Sequence, residues 1–313
     1  MKLDVALKTS LDELRMQMLG AQVLFGFQFQ GMFQNNFGAT HLSGRIMDAA
    51  GLALMIAVLG LMIAVPCQHR LVDGGEATLR IYVVSIRYAT LALVPLAGAI
   101  ACDVFVATER PFGMTVSTTM AACTAVMTAI AWFWSGLMLR RRWNTPSRGA
   151  PMQQSKTALH VKIEQMLTES RVILPGAQAL LGFQLIVAMT KEFDQLPPAI
   201  RVVHLVALLS LALAVILLIA PAAIHRLSFG GGDDPRLQSI GSLLITLALL
   251  PLACAISCDV LIAVTRLFGN SAASWSAALA VLLFLLGLWY VMPLFIRRTM
   301  NRRTFGPPAK SRR

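Results

Sequence analysis

Eight runs of about twenty mostly apolar residues, near 17–34, 46–66, 88–108, 114–139, 172–190, 202–221, 239–264 and 272–296, dominate the 313-residue chain. A helix rises 1.5 Å per residue, so about 20 residues match the hydrocarbon core of a bilayer. Inside lipid the backbone amides have no water to bond, and a helix satisfies them within its own segment. The expectation is an all-α polytopic membrane protein with eight transmembrane helices. Composition agrees: 57% of the residues are hydrophobic and only 13% charged, at a net charge of +12. A soluble basic protein, including one that binds nucleic acid, carries about 25% charged residues.

The basic residues are sorted by side. All but five of the 27 Lys and Arg fall in alternate connections that include both termini; the exceptions are Arg45, Arg110, Lys191, Arg201 and Arg266. Lys and Arg accumulate in cytoplasmic loops, so both termini are expected in the cytoplasm of a cell with the protein in its inner membrane. The runs Arg140-Arg141-Arg142 and Arg297 to Arg313 read as contacts to anionic lipid rather than to nucleic acid.

The chain is also duplicated. At a constant offset of 156 residues, without a gap, Glu13–Gly113 and Glu169–Gly269 share 37 identities over 101 positions. They include polar residues that chance does not supply, such as Gln22 with Gln178, Gln28 with Gln184, His69-Arg70 with His225-Arg226, and Cys102-Asp103 with Cys258-Asp259. Four spans per copy is an even number, so both copies enter from the same side as parallel repeats. The expected organisation is an amphipathic segment at 1–12, repeat 1 at 13–142, a linker with a second amphipathic segment at 143–168, repeat 2 at 169–303 and a basic tail at 304–313. The two amphipathic segments, with Leu3, Leu7, Leu11 and Leu14 in one and Leu159, Ile163 and Met166 in the other, are expected to lie in the cytoplasmic interface.

The block Arg171 to Gln184, the run Ala220 to Leu227, and Trp289-Tyr290 followed by Pro293 and Arg297-Arg298 resemble a bacterial four-span membrane family classed as a domain of unknown function. Some members carry the provisional label sodium:proton antiporter, so the resemblance implies movement of a small cation or proton. It covers the second copy almost entirely. The first departs from it, with Leu19 in place of the proline and Val65-Pro66-Cys67-Gln68 in place of Pro221-Ala222-Ala223-Ile224.

Ionisable residues within a span cost about 2.5–3.5 kcal/mol at its centre and are functional candidates for that reason. Asp103 and Asp259 are equivalent, and they are expected to meet near the repeat axis as an ion- or proton-binding pair, or to pair with outer-end arginines: Arg45, Arg110, Arg201 or Arg266. Gln28 and Gln184 are candidate cavity ligands. Gln22 and Gln178 lie about 240° around the helix from them, on another face, suited to joining helices. Asp48 and His204 occupy equivalent positions, and a contact across the axis is a secondary expectation. His69, Arg70, His225 and Arg226 are expected at headgroup level, against lipid phosphate. No Walker loop, nucleophile elbow, metalloprotease motif or structural-zinc spacing is present, so no enzyme activity, cofactor or metal is expected. A non-transporting scaffold is the alternative to a transporter.

Overall fold

The structure, a computed structural model, describes residues 3–34, 41–134, 157–227, 233–269 and 271–304. Those residues are almost wholly helical: α1 (Leu3–Gly31), α2 (Leu42–Leu71), α3 (Leu79–Ala129), α4 (Leu159–Val187), α5 (Pro198–Leu227), α6 (Pro235–Phe268), α7 (Ala272–Leu286) and α8 (Met292–Thr304), with one helical turn at Lys191–Asp194. α3 is two helices joined at a kink, where Gly113 takes φ 78°. Its equivalent, Gly269, takes φ 91° and ends α6. Both sites need the positive φ that glycine adopts without steric penalty, so one backbone signal turns the chain from third to fourth span in both repeats. The fourth spans share a further feature. Each widens into a π turn, Ile130–Trp134 in one and Gly287–Val291 in the other, with a tryptophan, Trp132 or Trp289, in the middle.

Among the described residues, seven helices are long and apolar enough to cross a membrane. α1 has the length but not the apolarity, because Gln17, Gln22, Gln28 and Gln30 interrupt its hydrophobic face. The chain is a multi-pass membrane protein by this pattern.

The expected interfacial segments are not separate elements. Residues 3–12 continue without a break into α1, and 159–168 into α4. Their apolar stripes are covered by protein: Leu3, Leu7, Leu11 and Leu14 are buried, as are Ile163 and Met166. The reason is that α1 and α4 pack side by side, and the stripes face this seam. Equivalent residues meet across it. Lys8 Nζ is 2.6 Å from Glu164 Oε1, and the rings of Phe27 and Phe183 lie 4.8 Å apart. The two contacts are 19 residues apart on α1, about 28 Å along the helix. The 143–156 part of the linker and the tail beyond residue 304 lie outside the described residues.

α2 packs with the first half of α3, α5 with α6, and α7 lies on α6 and reaches across to α2. There Trp289, fully buried, donates its indole N–H to the Gly60 carbonyl at 3.0 Å. A Cβ at Gly60 would come within 2.8 Å of Phe284, so α7 closes on α2 only where a side chain is missing. The fourth span of repeat 1, Pro111–Trp134, is almost entirely exposed.

Candidate functional site

Each repeat builds the same hydrogen bond between its first helix, α1 or α4, and its third, α3 or α6. In repeat 1, Gln28 Nε2 donates to Asp103 Oδ1 at 2.6 Å. In repeat 2, Gln184 Nε2 donates to Asp259 Oδ1 at 2.7 Å. The glutamine gives the carboxylate a partner inside the helix bundle, and its own Oε1 is left without one among the described residues. Gln22 serves otherwise. It is buried in the α1–α4 seam, in the space left by the missing side chain of Gly176.

The expected meeting of Asp103 with Asp259 is therefore not formed. Each carboxylate is held by the glutamine of its own repeat, because the seam is made by α1 and α4, and α3 and α6 do not pack on each other. Neither Arg201 nor Arg266 replaces that partner. Arg201 is exposed, and Arg266 donates to the Met32 carbonyl with its guanidinium 5.4 Å from the Phe33 ring centroid. Arg45 stands in the first turn of α2, and the side chain of Arg110 is outside the described residues.

The two copies differ in what stands beside the pair. In repeat 1, Asp48 on α2 joins Gln28 and Asp103 in lining a cavity of about 310 Å³, whose remaining wall is apolar (Leu24, Phe27, Val106, Ala107). Asp48 is 6% exposed. Gly51, one turn further, keeps the floor low: a Cβ there would stand 3.0 Å from Gln28 Nε2 and 3.6 Å from Asp103 Oδ1. A third carboxylate, Glu109, is buried nearby and accepts a hydrogen bond from Ser43.

In repeat 2 the Asp48 position is His204, the Gly51 position Ala207 and the Glu109 position Thr265. Asp259 is 1% exposed. His204 packs edge-on against Phe193 at 4.8 Å, with neither ring nitrogen bonded among the described residues. The expected contact between Asp48 and His204 is not made: Asp48 lines the repeat 1 cavity, and His204 lies against Phe193 of its own repeat.

The opposite end of α2 carries charges that the sequence reading assigned to lipid. His69 is 1% exposed and Arg70 is buried with it, so neither is at the headgroup surface. Their partner is Glu169 on α4, whose two carboxylate oxygens take His69 Nδ1 and the Arg70 Nε–H. His225 is only partly buried, and the side chain of Arg226 is outside the described residues. Sequence reasoning missed Glu169, because it lies before the apolar run of its span. Its equivalence to Glu13, at the start of the aligned stretch, was the available signal.

A family model for a family of unknown function (DUF6328) matches the chain twice, over residues 1–136 and 154–293. No curated protein and no solved structure is measurably similar to the chain. The double match coincides with the duplication read from the 156-residue offset and covers most of the chain, which belongs to this family of unknown function (DUF6328).

Proposed function

We propose that this protein is an eight-span membrane protein of two same-orientation repeats that binds and exchanges protons or a small cation at the Gln28–Asp48–Asp103 pocket. The observation that carries the reading is that two carboxylates on different helices line one cavity inside the spans. Carboxylates sharing a pocket titrate as a pair, and their combined charge is balanced by a proton or cation taken from the aqueous side. Gln28 supports this, because its amide N–H holds Asp103 while its carbonyl oxygen has no partner among the described residues. Gln184–Asp259–His204 is the closed copy and acts in the fold. Contacts between residues 156 apart at both ends of the α1–α4 seam support the same orientation of the repeats. The basic-residue bias supports cytoplasmic termini in an inner membrane, with the basic runs on anionic lipid. No enzymatic step is part of this reading.

A scaffold without transport is the second reading. It is favoured by the apolar face of α5 and by the exposed fourth span of repeat 1, both free to receive membrane helices. Proteoliposomes with an imposed pH gradient, with and without a sodium gradient, separate the two. Wild type is expected to dissipate the gradient and Asp48→Asn/Asp103→Asn to hold it. Equal dissipation by both sinks the proposal, and no dissipation by either, with a stable partner helix recovered, favours the scaffold.

A further inference from the structure

The Glu169 cluster is one of two clasps that the duplication encodes. Its three members all recur: Glu169 corresponds to Glu13, His69 to His225 and Arg70 to Arg226. In the formed clasp, α2 of repeat 1 grips α4 of repeat 2. Applying the repeat relation, the second clasp is α5 of repeat 2 gripping α1 of repeat 1. That one is open. Glu13 is exposed and in none of the ion pairs among the described residues, and His225 Nε2 is buried without a partner there.

We propose that the two clasps close alternately, and that exchange between them is the conformational step that regulates the Asp48–Asp103 pocket. This rests on the proposed function of that pocket. α2 is a single helix carrying Asp48 near one end and His69 near the other, 21 residues apart or about 32 Å. A tilt that parts His69 and Arg70 from Glu169 therefore displaces the wall of the pocket as well. Both seam partners, α1 and α4, carry the needed glutamate, so the second arrangement satisfies the same kinds of charges as the first. Two packings of near-equal content are what a two-state element requires. Arg70 Nη1, Arg70 Nη2 and His69 Nε2 are buried without partners among the described residues, so the closed clasp is not a saturated network.

Cys67, 3% exposed and two residues before His69, reports the first clasp. In a chain whose other four cysteines are replaced by alanine, maleimide modification of Cys67 in membranes is expected to be slow, and about tenfold faster in Glu169→Gln. The second clasp is read in a separate cysteine-free chain carrying Met16→Cys/Ala222→Cys, the repeat equivalents of Val172 and Pro66, which line one small pocket with Glu169, so that Glu13, His225 and Arg226 stay in place. Oxidative crosslinking is expected to proceed slowly with Glu169 intact and about threefold faster with Glu169→Gln. Should Glu169→Gln fail to fold, the crosslink in the Glu169-intact chain still decides, since alternation requires it to form. Absence of that crosslink, or an unchanged Cys67 rate in folded Glu169→Gln, overturns the proposal. Neither thiol readout needs transport: crosslinking without flux removes the functional reading alone, and flux without either thiol signal removes the clasp exchange alone.

Discussion

The second helices of the two repeats, α2 and α5, have the same length and the same neighbours in their own repeat, yet 72% of the most apolar stretch of α2 is buried against 28% for α5. One face explains the difference. α2 carries Ala49, Ala53, Ala57 and Gly60 where α5 carries Leu205, Leu209, Leu213 and Ile216. Small residues let a helix come close, as membrane interfaces require. α7 accordingly closes over Gly60 and leaves an apolar crevice of about 410 Å³ beside the alanines. The large side chains of α5 stay exposed, and the fourth span of repeat 1 does not pack on them. Duplication thus supplied two similar helices, and side-chain size made one a core element and the other a lipid-facing one.

The same comparison orders the expected effects of substitution. Glu169→Gln removes the buried carboxylate that His69 and Arg70 share and leaves the Arg70 guanidinium without its counter-charge, so a loss of about 3–5 kcal/mol is expected in detergent unfolding. Glu13→Gln, at the exposed equivalent, is expected within about 0.5 kcal/mol of wild type. Similar losses for both would end the distinction between a closed and an open clasp. Gly60→Leu overpacks the α2–α7 contact and is expected to lose about 1–3 kcal/mol, whereas Ile216→Leu on α5 stays near neutral. Trp289→Phe removes the bond to Gly60 and is expected to lose about 0.5–1.5 kcal/mol, more than Trp132→Phe.

The smallest effect concerns the contact between the α2–α3 connection of repeat 1 and the start of α4, outside the apolar spans. Burial pushes the Glu76 carboxyl up, but the Lys162 ammonium and the Thr157 backbone N–H outweigh it and hold it below the usual range. A carboxylate depressed in the folded state stabilises above its unfolded value and loses that contribution as pH falls through its folded one. The apparent Tm is therefore expected to fall slightly more steeply below about pH 4 for wild type than for Glu76→Gln. Parallel curves would show that this contact adds nothing.

Much of this was legible in the residues. Span length follows from hydropathy, and the Gln28–Asp103 and Gln184–Asp259 partners were among the polar residues repeated at a fixed offset. Their pairing was not legible, since an offset relates positions in two copies and says nothing of which helix in one copy faces which. The headgroup reading of His69-Arg70 failed for the same reason. An arginine at a span end ordinarily meets water or phosphate, and only the seam of α1 and α4 brings Glu169 within reach. Asp48 gained weight because three helices place it in the cavity with Asp103, which one helix wheel does not reveal.

The central claim is that repeat 1 holds the working copy of the site and repeat 2 the closed one. The most direct test is the initial rate of proton-gradient dissipation in proteoliposomes for the matched substitutions Asp103→Asn and Asp259→Asn, each at equal amounts of folded protein. Asp103→Asn is expected to slow the rate by about tenfold or more and Asp259→Asn to change it by less than about twofold. Equal loss from both, or loss from Asp259→Asn alone, would contradict it.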